Sequence, residues 1–124
     1  MPGDFLTVST EARDQVTVLF LEGEADATSA GQLHSALDKA AQRKLPVILD
    51  VSRLGYIDSS GFRAVYQASE HTSVSIVVAA DAVLSRTVRL AGISTRIPVF
   101  PDLDAAIEHA ANTGPAPRGA RRER

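Results

Sequence analysis

The sequence contains no cysteine and no tryptophan among its 124 residues. Without cysteine, a disulfide framework, a thiolate metal site and a cysteine nucleophile are all excluded. The chain also lacks any run of the roughly 20 apolar residues that a membrane-spanning helix requires. The first residues, from Met1 to Asp4, contain no cationic segment that leads into an apolar stretch. We therefore expect no secretion signal and predict a cytoplasmic protein without a membrane span.

The net charge is only −2, but the charged residues are unevenly distributed along the chain. The last eleven residues carry four arginines and one glutamate. Residues 1–113 therefore carry −5, and an acidic body argues against a nucleic-acid groove on it. Hydrophobic residues make up 44% of the chain and charged residues 23%, as in soluble globular domains. We predict a single domain over residues 1–113 and a disordered Pro/Gly/Arg-rich tail over residues 114–124.

Signatures of catalysis are also missing. No two of the eight glycines are separated by a single residue, so the glycine fingerprints of dinucleotide and phosphate-binding loops are absent. A nucleophile elbow at Ser59 would need glycines on both sides, and Gly61 is present but Ile57 stands at the other position. A hydrolase using Ser59 or Ser60 would need a histidine beside the serine, for which the sequence gives no support. We therefore do not expect an enzyme.

A metal or cofactor is not expected either. His34 and Asp38 are four residues apart on a predicted helix and could share a metal ion. No third ligand follows from the spacing, and polar pairs of this kind are usually solvated.

Strand-like and helix-like segments alternate along the chain, which predicts an α/β fold with a mixed, partly parallel sheet of four to five strands and about four flanking helices. The predicted strands are Phe5 to Ser9, Gln15 to Glu22, Val47 to Val51, Val74 to Ala79 and Arg96 to Phe100. Pro98 restricts the last of these to an edge or a strand end. The predicted helices begin at a capping box formed by Ser29 and Gln32, at Asp58, at Asp81 and at Asp102. Gly92 stands where the third helix is expected to end.

The turn from Asp58 to Gly61 is the strongest candidate for a functional site. With Asp58 as the N-cap, Ser59 and Ser60 occupy the first helical turn, where backbone N–H groups lack intrahelical partners. A phosphate on either serine would lie among free donors at the positive end of the helix dipole. Ordinary N-terminal capping explains the same four residues, so the turn alone leaves both interpretations open.

Four segments together resemble the STAS domains, the family named for sulphate transporters and anti-sigma factor antagonists. The segment from Val47 to Gly61 resembles the family signature, and Gly23-Glu24-Ala25-Asp26 resembles its Gly-Glu-Leu-Asp. The segments 90–93 and 99–106 resemble its C-terminal third. The likeness covers about residues 5–111, in the family's order and spacing.

The resemblance implies a mixed sheet with flanking helices and a function like that of stand-alone bacterial anti-anti-sigma factors. Such proteins bind an anti-sigma factor that is also a serine kinase, and a sigma factor is released. The kinase phosphorylates the serine that follows the aspartate, here Ser59 with Ser60 as the second choice, and a separate serine phosphatase reverses the change. Asp26 matches an aspartate near that serine. The predicted partner-binding residues are Asp26, Asp58, Ser59, Ser60, Gly61, Phe62 and Arg63.

Two departures from the family pattern affect this expectation. Arg63 stands where the family often has a small residue; it lies four residues after Ser59, so it either reaches a phosphate there or is simply solvated. Ala25 replaces the usual leucine, which trims packing only. The alternative hypothesis keeps the fold but makes the chain an adaptor subunit of a membrane transport complex or signalling scaffold without phosphoswitching. The oligomeric state does not follow from the sequence.

Overall fold

The computed structural model describes residues 5–13, 15–90 and 96–113. They form five strands in one sheet, with four helices packed on its faces. The strands are β1 (Thr7–Arg13), β2 (Val16–Ala25), β3 (Val47–Ile57), β4 (Val74–Val77) and β5 (Val99–Phe100). The helices are α1 (Ala30–Ala41), α2 (Ser59–Ser69), α3 (Ser85–Leu90) and α4 (Leu103–Thr113).

The sheet has the strand order β1-β2-β3-β4-β5, so spatial order follows chain order. β1 pairs with β2 antiparallel, whereas the pairs β2–β3, β3–β4 and β4–β5 are parallel. Each parallel pair is joined by a helical crossover, as parallel pairing requires. The prediction of a mixed, partly parallel sheet with about four helices is confirmed, and so is the edge position of the last strand, which begins at Val99 directly after Pro98 rather than at Arg96.

Both faces of the sheet are buried because apolar residues occupy both faces of its central strands. On β2, Leu19 and Leu21 belong to the larger core under α1, α2 and α3, while Val16 and Val18 belong to a smaller core under α4. β3 and β4 contribute to both cores in the same way. Apolar runs without polar alternation are what strands covered on both faces require.

The boundaries of several elements differ from the predicted ones. β1 runs on to Arg13 rather than ending at Ser9, because its polar residues pair with β2 up to the hairpin turn. β2 continues through the segment Gly23–Asp26, where a break in the strand was expected, as far as Ala25. Gly23 takes a φ of +97° beside a register shift, so the chain forms a bulge instead of leaving the sheet.

α1 begins at Ala30 with Ser29 as its N-cap, as predicted, but the expected capping box is wrong, and so is the predicted start of α3. The capping box of Ser29 and Gln32 does not form: the Ser29 hydroxyl donates to the carbonyl of Glu24 at 2.8 Å, and the Gln32 amide donates to the carbonyl of Leu6 at 2.9 Å. Both side chains are thus used for contacts between elements. α3 begins at Ser85 rather than after Asp81. The expected helix stop at Gly92 and the tail over residues 114–124 lie outside the described residues.

The end of β3 positions the candidate site. β3 extends beyond its pairing with β4, which stops at Asp50, and stays paired with β2 as far as Ile57 opposite Ala25. One residue later α2 begins and runs back across the sheet. The strand therefore leads directly into the helix, as predicted, and the junction lies at the carboxyl end of the sheet.

Thr17 offers a test of the core, because its hydroxyl is buried and has no hydrogen-bond partner among the described residues. An unpaired buried hydroxyl carries a desolvation cost that an isosteric methyl group lacks. We expect Thr17→Val to raise the free energy of unfolding by about 1 kcal/mol in urea titrations. Thr10→Val, the same change at an exposed position of β1, should alter it by less than about 0.5 kcal/mol. Destabilisation by Thr17→Val would show that the hydroxyl is satisfied in solution.

Candidate functional site

The site is built around Asp58, the single residue between β3 and α2. Its backbone is extended, with φ −112° and ψ −171°, as is usual for an N-cap. Its Oδ1 accepts hydrogen bonds from the amide of Ser60 at 2.9 Å and the amide of Gly61 at 3.3 Å. Its carbonyl accepts the first helical bond, from the amide of Phe62 at 3.0 Å. The capping interpretation of this turn is therefore confirmed.

Capping changes what the helix start can offer to a phosphate. The backbone amides of the first helical turn were expected to be free donors, but the Asp58 carboxylate already occupies those of Ser60 and Gly61. Within the described part of the chain, the amide of Ser59 alone in this turn has no acceptor. A phosphate on Ser59 would therefore meet a carboxylate at the helix start rather than a set of empty donors.

The two candidate serines differ in exposure. Ser59 is exposed at the first position of α2, whereas Ser60 is half-buried. Neither serine is hydrogen-bonded to a histidine in the described residues. An enzyme that modifies this turn therefore meets the hydroxyl of Ser59 first.

Gly61 holds the start of α2 close against the ends of β2 and β3. A Cβ at this position would lie 2.7 Å from Cγ1 of Ile57 and 3.0 Å from the carbonyl oxygen of Ala25. The same Ala25 carbonyl accepts a hydrogen bond from the amide of Asp58 at 3.1 Å. The glycine is thus needed for close approach, and the Ala25 in place of the family's leucine lies at this contact.

Asp26 follows Ala25 directly, so it lies at the same end of the sheet as Asp58. Its Oδ1 accepts hydrogen bonds from the Thr28 hydroxyl at 2.7 Å, the Thr28 amide at 3.0 Å and the Ser29 amide at 3.2 Å. These bonds, that of the Thr28 hydroxyl first, hold the pKa of Asp26 below its ordinary value. Asp26 therefore shapes the loop before α1, a role that the Asp-Ala-Thr-Ser pattern of an Asx turn signals.

The remaining predicted residues divide between packing and surface. Phe62 is half-buried and packs against the larger core, while Arg63 is exposed and has no ion-pair partner among the residues described. Tyr56 was not among the predicted site residues; its side chain is 46% exposed on β3, two residues before the cap and beside Glu24 of β2.

The structure places the metal candidates at the surface. His34 Nε2 and Asp38 Oδ2 are 3.7 Å apart on α1 and both side chains are about half exposed. In the described ranges no three His, Asp or Glu side chains come together in a way that could hold a metal ion. Within the same ranges, no helix has the length and apolar character needed to cross a bilayer.

Comparison with known proteins gives the family. The profile of the STAS domain matches residues 7–106. The chain belongs to the STAS family. A protein of Mycobacterium tuberculosis named "Anti-sigma-F factor antagonist RsfB" is 30% identical over 108 residues, which cover 84% of this chain and 88% of that protein.

Solved structures agree with this assignment. An anti-sigma factor antagonist from Mycobacterium paratuberculosis superimposes with a TM-score of 0.77 at 26% identity, over 87% of this chain and 96% of that one. The unphosphorylated form of SpoIIAA, a Bacillus protein, gives a TM-score of 0.67 at 18% identity, covering 86% and 97%. At that identity the likeness shows the fold alone, and it is the mixed five-strand sheet described above.

The tight contact at Gly61 is tested by substitution with alanine. We expect Gly61→Ala to lower the free energy of unfolding by about 1–3 kcal/mol, because the added methyl group must displace Ile57 and the backbone of Ala25. Gly55→Ala is the matched control, since a Cβ there would meet its nearest atom at an ordinary 3.6 Å. Urea unfolding of both variants decides the matter, and equal effects would contradict the close-packing argument.

The hydrogen bonds to Asp26 predict a pH dependence. Because folding lowers the pKa of Asp26 below the ordinary 3.8, the carboxylate stabilises the folded state fully above that value, and this contribution is lost as the pH falls through the folded-state pKa. The difference in unfolding free energy between wild type and Asp26→Asn should therefore be largest near pH 6 and shrink at pH values below 3.8. Asp81→Asn is the control, at an exposed aspartate without a side-chain hydrogen bond in the described residues. A pH-independent difference would contradict the argument.

Proposed function

We propose that this protein is an anti-sigma factor antagonist that binds an anti-sigma factor serine kinase, causes release of a sigma factor, and is switched off by phosphorylation of Ser59. The observation that carries the proposal is the exposed Ser59 at the first position of α2, held at the surface by the Asp58 cap. Two relatives, RsfB and the Mycobacterium paratuberculosis protein, bear the name of anti-sigma factor antagonists. The proposed location is the cytoplasm, because transcription is regulated there and the kinase takes its ATP from there.

Accessibility favours Ser59 over Ser60 as the modified residue. A kinase must draw the acceptor hydroxyl into its own active site, and of the two serines Ser59 is exposed while Ser60 is half-buried. Moving Ser60 would also disturb the 2.9 Å bond between its amide and Asp58. Ser59 can be modified without breaking a hydrogen bond of the described structure.

The switch acts through charge rather than through refolding. A phosphate adds about −1.5 to −2 charge at neutral pH. It would be added beside Asp58, at an end of the sheet that also carries Asp26 and Glu24. Because Asp58 already occupies the amides of Ser60 and Gly61, the helix start offers the new charge only the amide of Ser59 and leaves most of that charge unbalanced. A partner that tolerates the unmodified acidic surface then meets a dianion, and like charges at an interface cost several kcal/mol.

Arg63 modulates this effect without cancelling it. It lies four residues after Ser59 on α2, within the spacing at which helical side chains meet. Its exposed guanidinium group has no ion-pair partner in the described chain, so it is available to a phosphate on Ser59. A pair between two exposed groups contributes little, on the order of 1 kcal/mol or less, which leaves most of the added negative charge unbalanced.

The proposed partner-binding surface consists of the first turn of α2 and the neighbouring loop at Asp26. Ser59 and Arg63 present exposed side chains, whereas Gly61 and Phe62 act by fixing the position of the turn. A separate serine phosphatase restores the binding form.

The phosphoswitch predicts opposite behaviour for two variants of one residue. We expect Ser59→Asp to bind the cognate anti-sigma factor kinase at least tenfold more weakly than wild type in calorimetric titrations, because several kcal/mol of repulsion exceed the 1.4 kcal/mol of a tenfold change. Ser59→Ala should bind like wild type. Intact-mass spectrometry with the kinase and ATP should show one phosphate on wild type and none on Ser59→Ala.

Ser60→Ala is the matched control, because it removes the neighbouring hydroxyl and keeps the helix start. It should still gain a phosphate. Phosphorylation of Ser59→Ala would assign the modified residue to Ser60. Equal affinities of Ser59→Asp and Ser59→Ala for the kinase would contradict the charge mechanism. An unchanged mass of the wild-type protein would favour the adaptor function without phosphoswitching.

A further inference from the structure

A second surface lies away from the switch, at the outer edge of the sheet. β1 is an edge strand of seven residues, and no strand of the described residues pairs with its outer side. Exposed edges are usually protected by lysine, proline or inward-pointing charges. β1 contains no lysine and no proline, and its two charged residues, Glu11 and Arg13, pair with each other at 2.8 Å. The edge is therefore open to another strand.

A groove runs beside this edge, between β1 and α1, with a volume of about 610 Å³. Its lining includes the apolar side chains of Val8, Leu19, Ala36 and Ala40 and contains no carboxylate. We call it the β1–α1 groove. Its size is within the usual range for ligand sites in proteins.

Two unpaired cations border the β1–α1 groove. Lys39 and Arg43 line it, and no carboxylate of the described residues lies within ion-pairing distance of either. This local positive charge contrasts with the charge of −5 carried by residues 1–113. An apolar floor with cations along one wall complements a molecule that is both apolar and acidic.

We propose that the β1–α1 groove binds an extended segment of a partner protein, which adds as a strand to the free edge of β1 and presents apolar and acidic side chains to the groove. On a strand every second side chain points to the same face, so inward side chains recur at about 6.6 Å. Lys39 lies in the last turn of α1 and Arg43 in the turn that follows the helix, and both line the groove. The two cations can therefore be met by carboxylates at successive inward positions of the added strand.

Two segments of this chain itself fit the β1–α1 groove less well than such a partner segment. A second copy of this chain would bring its own β1, whose residues on the groove side, Val8 and Thr10, carry no charge. Its Lys39 and Arg43 would also approach those of the first copy in a continuous sheet. The arginine-rich segment 114–124 has the same sign of charge as the groove wall.

Fluorescence anisotropy with labelled eight-residue peptides tests the proposal on the full chain. In the probe, threonine occupies every outward position, while two of the four inward positions carry leucine and the other two carry glutamate. The same sequence is also synthesised in reverse order, because the added strand can run parallel or antiparallel to β1. We expect one of the two peptides to bind saturably. Its analogue with glutamine in place of both glutamates should bind at least tenfold more weakly. Lys39→Glu combined with Arg43→Glu should lower the affinity for the glutamate peptide at least tenfold. Arg86→Glu, at an exposed position of α3, is the charge control and should not.

Backbone pairing is tested with N-methylated probes. Strand addition turns alternate peptide amides toward β1, so methylating one alternate set should abolish binding and methylating the other should leave it intact. Circular dichroism should show that the variant carrying both Lys39→Glu and Arg43→Glu, the doubly reversed variant, is folded.

Several results would overturn the proposal. The first is that neither peptide binds saturably, and the second is that the doubly reversed variant binds the glutamate peptide as tightly as the wild-type protein does. The third is that methylating either set of alternate amides changes the affinity equally. Decanoate binding with the same variant dependence, in the absence of peptide binding, would assign the groove to an amphipathic anion. A dimer in light scattering that Lys39→Glu with Arg43→Glu dissociates would assign it to a second copy. Ser59→Asp should leave peptide affinity unchanged, so this test fails or succeeds independently of the switch.

Discussion

The hydrogen bonds between the Asp58 carboxylate and the amides of Ser60 and Gly61 determine how the rest of the site works. They start α2 one residue after β3 and place Ser59 at the surface. They also occupy two of the amides that would otherwise bind an anion. The same contact that builds the helix start therefore makes it a poor phosphate site, and in the switch that we propose this would allow a phosphate on Ser59 to act as a repulsive charge.

Much of the fold could be predicted from the sequence, since strand and helix identity depend on periodicity, which is local. The strand-to-helix transition at Asp58 and the edge position of the strand that follows Pro98 were inferred from residue chemistry and were correct. The errors occurred where a distant contact decided the outcome. Gln32 satisfies the carbonyl of Leu6, 26 residues away, instead of closing a capping box. Gly23 continues the strand through a bulge because β2 has β3 beside it.

The site itself was predictable in position but not in detail. The tetrapeptide at Asp58 located the helix start, yet capping and anion binding use the same amides, and only the distances show which of the two fills them. Asp26 was expected near the serine through family resemblance, and the structure adds that its carboxylate is occupied by Thr28 and Ser29. The role of Gly61 depends on Ala25, which is distant in sequence and adjacent in the sheet.

The charge distribution separates two kinds of recognition along the sheet. The proposed switch lies at the level of Ala25 on β2, and the β1–α1 groove at the level of Leu19, six residues earlier. At about 3.3 Å per residue this is roughly 20 Å. The Debye length in physiological salt is about 8 Å, so a phosphate on Ser59 is largely screened at Lys39 and Arg43. Phosphorylation can then end one contact while a segment bound at the groove stays in place, which would keep a regulated partner tethered for rapid rebinding.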